Sequence, residues 1–373
     1  MKKLTIKKQT KSSITKDIGE LELGDFTIFA GENNAGKTNL IRAIIGEIEK
    51  EKDANIIIIP AERVLPEAEI KTGADKDPFK KAVTELLDVN FDDIKSIKSL
   101  VEDIEQLLPV EFSKYNIKKT ELSAKTNAIT NDDYIKAIKD VYVKNLIDSI
   151  TIKDCYCDKD GIKLSEVGQG TQRLIIASLL KYLGDKKGAK FSNKLTYIIF
   201  EEPEIYLHPK LKDTLYKTLH ELVTDNDNIK VIITTHDPYF IELGRDLKIF
   251  RVFRNPEEDN STWFKKIDDE KCLDYDSAAE INYLVFELPT QTYLLELYQS
   301  LQGELIYKDF DKKLSETLEI DQDEKNKYND SITFITKLRH DLAHPKTQDS
   351  VDRFNERGKE AIVRLVEYKK LTP

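Results

Sequence analysis

Residues 24–46, GDFTIFAGENNAGKTNLIRAIIG, constrain this chain more than any other stretch. The apolar run Phe26 to Ala30 reads as a short buried strand, and Leu40, Ile41, Ala43 and Ile44 recur at helical spacing. Between them, Gly31-Glu-Asn-Asn-Ala-Gly36-Lys37-Thr38 matches G-x-x-x-x-G-K-[ST] in full. Glycines let the main chain bend until its N–H groups point inward at a phosphate, and a helix N-terminus adds positive partial charge. The loop residues Gly31, Asn34 and Gly36 would line that cradle. Lys37 would reach the β- and γ-phosphates, and the Thr38 hydroxyl would hold Mg²⁺. A glycine turn with no nucleotide is the bland alternative, and the strand before it and the helix after it weigh against that.

The length of 373 residues suggests two or three domains with ample core. No apolar run approaches the roughly 18 residues of a membrane span, and MKKLTIKKQTKSSITK is basic without the apolar stretch of a signal peptide. Three cysteines make no disulfide framework, so a reducing cytoplasm is expected. Cys155-x-Cys157 has no second pair to complete a metal site. A net charge of −10 does not advertise a nucleic-acid binder, although a local basic groove is compatible with it.

Residues 1–30 read as two or three strands and 55–60 as another buried strand closed by Pro60. Residues 76–149 are helical by period, a lobe inserted between strands. Strands return at 149–155 and 161–164 around Asp160-Gly161. A helix opens at Gly168, Gly170 and Thr171 and ends near Gly184. Tyr197–Phe200 and 230–236 are buried strands, 248–254 and 262–267 a hairpin, and everything from about 277 onward reads as helix. The alternation implies an α/β fold with a mostly parallel, covered sheet over 1–270, followed by an all-α bundle over 277–373.

Glu201 and Glu202 end an apolar strand 163 residues beyond Thr38. Phosphoanhydride hydrolysis needs one acid near the Mg²⁺ shell and one to polarise the attacking water, and adjacent carboxylates can divide those roles. An ordinary acidic turn is the competing reading. His236 ends a second buried strand, where it would contact the γ-phosphate or the water, or simply be capped. The Gly168-Gln169-Gly170-Thr171 turn is a second phosphate-style nest. Two nests imply a nucleotide clamped from two sides, hence a homodimer.

In order, GENNAGKT, VGQGTQR, YIIFEEPEIYLHP and IITTHDP resemble the motifs of ABC-type ATPases, more closely the AAA branch related to the OLD (overcoming-lysogenization-defect) nucleases. The resemblance covers about residues 1–250. It implies ATP and Mg²⁺ as cofactors, Gly31–Thr38 as Walker A, Glu201 as the metal-associated acid and Glu202 as the catalytic base. It further implies His236 as the switch histidine and Gly168–Gln172 as the signature facing a partner's γ-phosphate. The signature reads GQGTQ rather than LSGGQ, and Glu201 stands where Asp is usual. No glutamine marks an obvious Q-loop: Gln106 lies in the helical lobe, and Ala61-Glu62-Arg63 after the 55–60 strand stands in that region by position.

Arg339, His340 and His344 crowd into six residues of a chain with five histidines. Pro345 pushes His344 out of the helical region, so its side chain can turn back toward Arg339. An arginine beside a histidine suits metal-independent RNA cleavage: the histidine moves protons around the 2′-OH and the arginine stabilises charge at phosphorus. A solvated polar helix end is the alternative. The stretch Arg339-His340-Asp341-Leu342-Ala343-His344 resembles the motif of HEPN domains, and the flanking helices fit that small bundle over 277–373. That resemblance implies an ATP-controlled ribonuclease acting on RNA, tRNA among the classes, as a toxin or anti-phage effector restrained by a protein partner. Residues 291–373 hold 14 Lys/Arg against 16 Asp/Glu, so no broad basic field draws RNA in. An ATP-driven clamp with a non-catalytic HEPN module is the rival. An OLD-like DNA nuclease fits less well, because Asp321-Gln-Asp323 has no strand before it.

Overall fold

The computed structural model describes residues 2–10, 12–50, 54–61, 116–118, 151–153, 162–163, 168–185, 195–244, 247–325, 331–343 and 349–372. Most of the 76–149 lobe, Gln106, Cys155, Cys157, Glu62, Arg63 and His344 lie outside them. The chain forms two compact units, 1–243 with 252–264, and 244–251 with 265–373. Residues 244–251 and 265–270, read from sequence with the first domain, group with the second.

In the first unit, β1 (Lys2–Ile6) and β2 (Gly19–Leu23) pair antiparallel. β3 (Phe26–Ala30) is buried at all five positions and leads through the glycine turn to α1 (Lys37–Ile48). Helix α1 buries Leu40, Ile41, Ala43, Ile44 and Ile48, the face its apolar spacing dictates. The remaining core strands are β4 (Ala54–Ile59), β8 (Leu195–Glu201) and β9 (Ile229–Thr235). Their continuous apolar runs are what a sheet covered on both faces requires. Helices α2 (Gln169–Asp185), α3 (Pro209–Thr224) and α4 (Pro238–Leu243) complete the described helices of this unit.

The large sheet has the order β11-β10-β3-β9-β8-β4, where β10 is Lys248–Asn255 and β11 is Ser261–Lys266. β3 with β9, β9 with β8 and β8 with β4 are parallel. Register places Ala30 opposite Thr235, Glu201 opposite Thr234 and Ile59 opposite Phe200. All four strands therefore finish on one edge, and β9 and β8 lie between β3 and the strand that follows it in sequence. Ligands of open α/β sheets gather at such carboxyl edges, where strand order switches.

A separate small sheet joins β5 (Asn116–Lys118), β6 (Thr151–Lys153) and β7 (Ile162–Lys163). The β6–β7 pairing matches the strands expected around Asp160-Gly161. β5 corrects the helical reading of residues 116–118: Asn-Ile-Lys is too short an alternation to stand out beside long helical periods, and its pairing with β6 decides it.

The second unit carries α5 (Ala278–Phe286), α6 (Gln291–Gln302), α7 (Tyr307–Leu318), α8 (Phe334–Ala343) and α9 (Asp349–Leu371). Tyr293, Leu297, Tyr298, Phe310, Leu314, Ile335, Leu338, Ile362 and Leu365 pack into one core. The expectation of helix alone is corrected at two places, β12 (Glu324–Lys325) and β13 (Ser331–Ile332), which pair antiparallel after α7. Asp311 anchors this corner. It is buried and accepts from the Thr333 N–H at 3.1 Å, the Thr333 hydroxyl at 2.7 Å and the Gln322 amide at 2.7 Å. Among the described residues no helix is long and apolar enough to cross a membrane.

Candidate functional site

The glycine turn is shaped by what surrounds it. Gly36 has φ +99°, and a Cβ there would overlap Thr262 Oγ1 and lie 2.9 Å from its methyl. Gly31 lies so close to Val252 that a Cβ would run into that residue's carbonyl. The hairpin β10–β11 thus walls the turn, and Arg254 adds a 2.8 Å bond from Nε to the carbonyl of Asn34, itself left-handed at φ 65°. Helix α1 starts without a side-chain cap and without an acid in its first turn, which leaves its N-terminal N–H groups to an external anion.

Lys37 is buried and folds back on the turn, donating to the carbonyls of Gly31 at 2.9 Å and Glu32 at 3.0 Å. Its Nζ lies 3.6 Å from Glu202 Oε1. Burial pushes the ammonium pKa down, against the opposing pull of Glu202 and Glu204. Thr38 is exposed in the first turn of α1.

Glu201 ends β8, half-buried, and burial pushes its carboxyl up, opposed by Arg42 and by a bond from the Ala61 backbone. Glu202 adopts φ 45°, held there by its N–H donating to Thr234 O at 2.9 Å. A left-handed glutamate costs about 1–2 kcal/mol, and the turn aims its carboxylate between Lys37 and His236. His236 Nδ1 is 3.5 Å from Glu202 Oε1 and 3.5 Å from Glu204 Oε1.

The structure therefore brings Lys37, Glu202 and His236 together, as the motifs require. It also brings in two residues the motif reading passed over. Glu204 is buried in the turn after Glu202. Arg173 is fully buried, and its guanidinium donates to the carbonyls of Glu202 at 2.6 Å, Ile205 at 3.4 Å and Ala61. Arg173 had a signal in sequence, a charged residue inside the apolar face of α2, whereas Glu204 is one acid among three in EEPE with nothing to single it out.

Gly168 is exposed with open space around it, and Gly170 is buried with a would-be Cβ 2.5 Å from Tyr206 O. Close packing on the turn after Glu202 is thus sufficient reason for Gly170 to lack a side chain. Thr171 follows it in α2.

In the second unit, Arg339 and His340 sit on α8. The Arg339 guanidinium lies 5.6 Å from the centroid of Tyr298, and His340 meets Tyr307 edge-on at 5.0 Å. Burial, Arg339 and Lys337 together hold the His340 imidazole below its ordinary pKa. Asp341 pairs with Lys337 at 3.1 Å and Arg353 at 2.8 Å. His344 lies outside the described residues.

Residues 66–241 match the AAA ATPase domain family. The chain has a P-loop ATPase fold, and about half of it is similar to AAA ATPase domains. The matched stretch contains Glu201, Glu202 and His236. The Old nuclease of Escherichia phage P2 is 30% identical over 135 residues, which cover 35% of this chain and 22% of that protein. The OLD nuclease of Thermus scotoductus is 31% identical over 113 residues, 29% of this chain and 20% of the relative. The chain spans about a fifth of the length of the curated relatives it matches. The SMC head domain from Thermotoga maritima is 13% identical with a TM-score of 0.37, covering 71% of this chain and 98% of that one.

Proposed function

We propose that the chain binds and hydrolyses Mg·ATP as a homodimer, and that its nucleotide state governs RNA cleavage by the C-terminal helical unit, in phage defence or as a toxin. One observation carries the ATPase part: Lys37 Nζ at 3.6 Å and His236 Nδ1 at 3.5 Å both approach Glu202 Oε1 at the carboxyl edge of the sheet. Lys37 and the uncapped N-terminus of α1 bind the β- and γ-phosphates. Glu202 takes the proton of the attacking water, and His236 orients that water or the γ-phosphate. Mg²⁺, when bound, offsets charge on the phosphate oxygens. Its protein ligand would be Thr38, with Glu201 behind it; a half-buried carboxyl raised by desolvation is a group that a cation would return to its charged form. Gly168, Gly170 and Thr171 would face the γ-phosphate of a second copy.

For the helical unit, Arg339 is a fixed cation beside His340, whose depressed pKa keeps it ready to accept a proton. With His344 these would form the cleavage site. The test is sequencing of RNA ends in cells expressing wild type beside His344→Ala, with purified protein on tRNA with and without ATP. Equal cleavage by both proteins rules out the C-terminal site, and cleavage by neither sinks the ribonuclease reading.

A second reading has its own support. Arg339 and His340 each pack on a tyrosine, Tyr298 and Tyr307, which is reason enough for their presence without catalysis. In that reading the chain is an ATP-driven clamp whose helical unit binds a partner nuclease or nucleic acid. ATP-dependent binding with no cleavage under any condition favours it. The names of the relatives add a nuclease context to either reading.

A further inference from the structure

We propose that Glu204 is a positioning residue for His236: its buried carboxyl fixes the peptide and the ring of the histidine from beneath, and so sets where His236 stands relative to Glu202. The proposal rests on the ATPase reading and goes beyond the motif set, which assigns Glu204 nothing.

The side chain of Glu204 is 3% exposed. Oε1 accepts from the Thr235 hydroxyl at 2.6 Å and from the His236 N–H at 3.1 Å. Thr235 is itself tied on every side. Its carbonyl accepts from the Gly31 N–H at 3.2 Å, and its hydroxyl accepts from the Asp237 N–H at 3.0 Å. One carboxyl therefore holds the junction of β9, the start of the phosphate loop and the peptide that carries His236.

Two atoms at this junction have no hydrogen-bond partner. Glu204 Oε2 and His236 Nδ1 are both buried and unsatisfied. Buried polar atoms in native proteins are nearly always satisfied, so a pair left open in one place calls for an explanation. His236 Nδ1 lies 3.5 Å from Glu204 Oε1 and 3.5 Å from Glu202 Oε1, between the two acids. Small movements of the ring would close either contact. Apo catalytic sites commonly hold such contacts long and tighten them with substrate. Glu204 thus bonds the His236 peptide directly, while its Oε1 and that of Glu202 lie equally near the ring nitrogen. Desolvation pushes the Glu204 carboxyl pKa up, opposed by the hydrogen bonds from Thr235 and His236.

The experiment is a double-mutant cycle on the full chain, with ATP turnover and binding of a fluorescent ATP analogue measured for wild type, Glu204→Ala, Glu204→Gln, His236→Ala and Glu204→Ala/His236→Ala. Glu204→Ala is expected to lower kcat by about 10- to 100-fold with KM within about twofold, since a misplaced group costs turnover rather than ground-state binding. Glu204→Gln keeps the carbonyl acceptor for Thr235 and His236 and should recover kcat to within about threefold. In the His236→Ala background, removing Glu204 should cost nothing further, the signature of action through one residue.

Additive losses in the double variant would overturn the proposal, as would a kcat loss that Glu204→Gln fails to rescue. So would wild-type turnover in Glu204→Ala. A wild type that binds the analogue yet hydrolyses no ATP removes the hydrolysis reading, and this inference with it; normal hydrolysis with additive losses removes this inference alone.

Discussion

Arg173→Met puts the buried arginine to the test. Its guanidinium makes two short bonds, to the carbonyls of Glu202 and Ala61, and two longer ones, to Ile205 at 3.4 Å and Pro60 at 3.5 Å. Hydrogen bonds from a charged group contribute about 1.5–3 kcal/mol each, so the two short ones amount to about 3–6 kcal/mol. Methionine fills similar space and removes the cost of keeping a cation dry, which offsets several kcal/mol of that. A net destabilisation of up to about 3 kcal/mol follows, a shift of at most roughly 12 °C in Tm for a unit of this size. Turnover should suffer more than stability. The Glu202 carbonyl is the near end of a turn at φ 45°, and freeing it lets the carboxylate drift from Lys37 and His236. A displacement near 1 Å costs about 100-fold in kcat. Arg173→Lys keeps the charge but cannot span these carbonyls, and should fall between the two. The assay is a urea melt of the full chain beside steady-state ATP turnover. An Arg173→Met protein with the wild-type midpoint and wild-type kcat would refute the argument that this guanidinium holds Glu202 in place.

Other substitutions separate the remaining roles. Glu202→Gln should bind a fluorescent ATP analogue as wild type does and turn over at least about 100-fold more slowly; normal turnover would reassign the base. Gly36→Ala combines a φ of +99° with overlap on Thr262, whose hydroxyl is already engaged by Ser13 and Arg254, so nucleotide affinity should drop by about tenfold or more in a titration. Glu280 in the helical unit is fully buried and accepts from the Cys272 N–H at 2.7 Å and the Tyr293 hydroxyl at 3.2 Å. Burial raises its carboxyl pKa above the ordinary 4.5, so the folded state holds this proton more tightly than the unfolded chain does. Its contribution is complete below pH 4.5 and is lost as pH rises through the folded value. Glu280→Gln should therefore flatten the decline in stability above pH 4.5, read from urea midpoints across a pH series; an unchanged slope would show that another group sets it.

The parts of the fold legible in sequence were those written in one local pattern. Phe26–Ala30, Tyr197–Phe200 and 230–236 are short stretches dominated by apolar and β-branched residues, and core strands run through each. Lys37, Glu202 and His236 meet because their strands neighbour one another, so three separated motifs gave one place. Glu204 was not legible, because its burial depends on the left-handed turn at Glu202, and nothing in EEPE distinguishes a buried acid from a solvated one. Val252 and Thr262 were equally silent: they meet Gly31 and Gly36 across more than 220 positions, and distant backbone approach leaves no periodic trace. Arg339 and His340 were correctly set on one helix, yet adjacent helical residues diverge, and they reach different tyrosines on different helices.

The hairpin pressed against the phosphate loop limits how this protein can be trimmed. A fragment ending just past His236 would retain every recognisable nucleotide motif and yet expose Gly31 and Gly36 on a sheet edge stripped of β10 and β11. The smallest piece that keeps a shaped cradle has to run through Phe264, well beyond the last residue a motif search would retain.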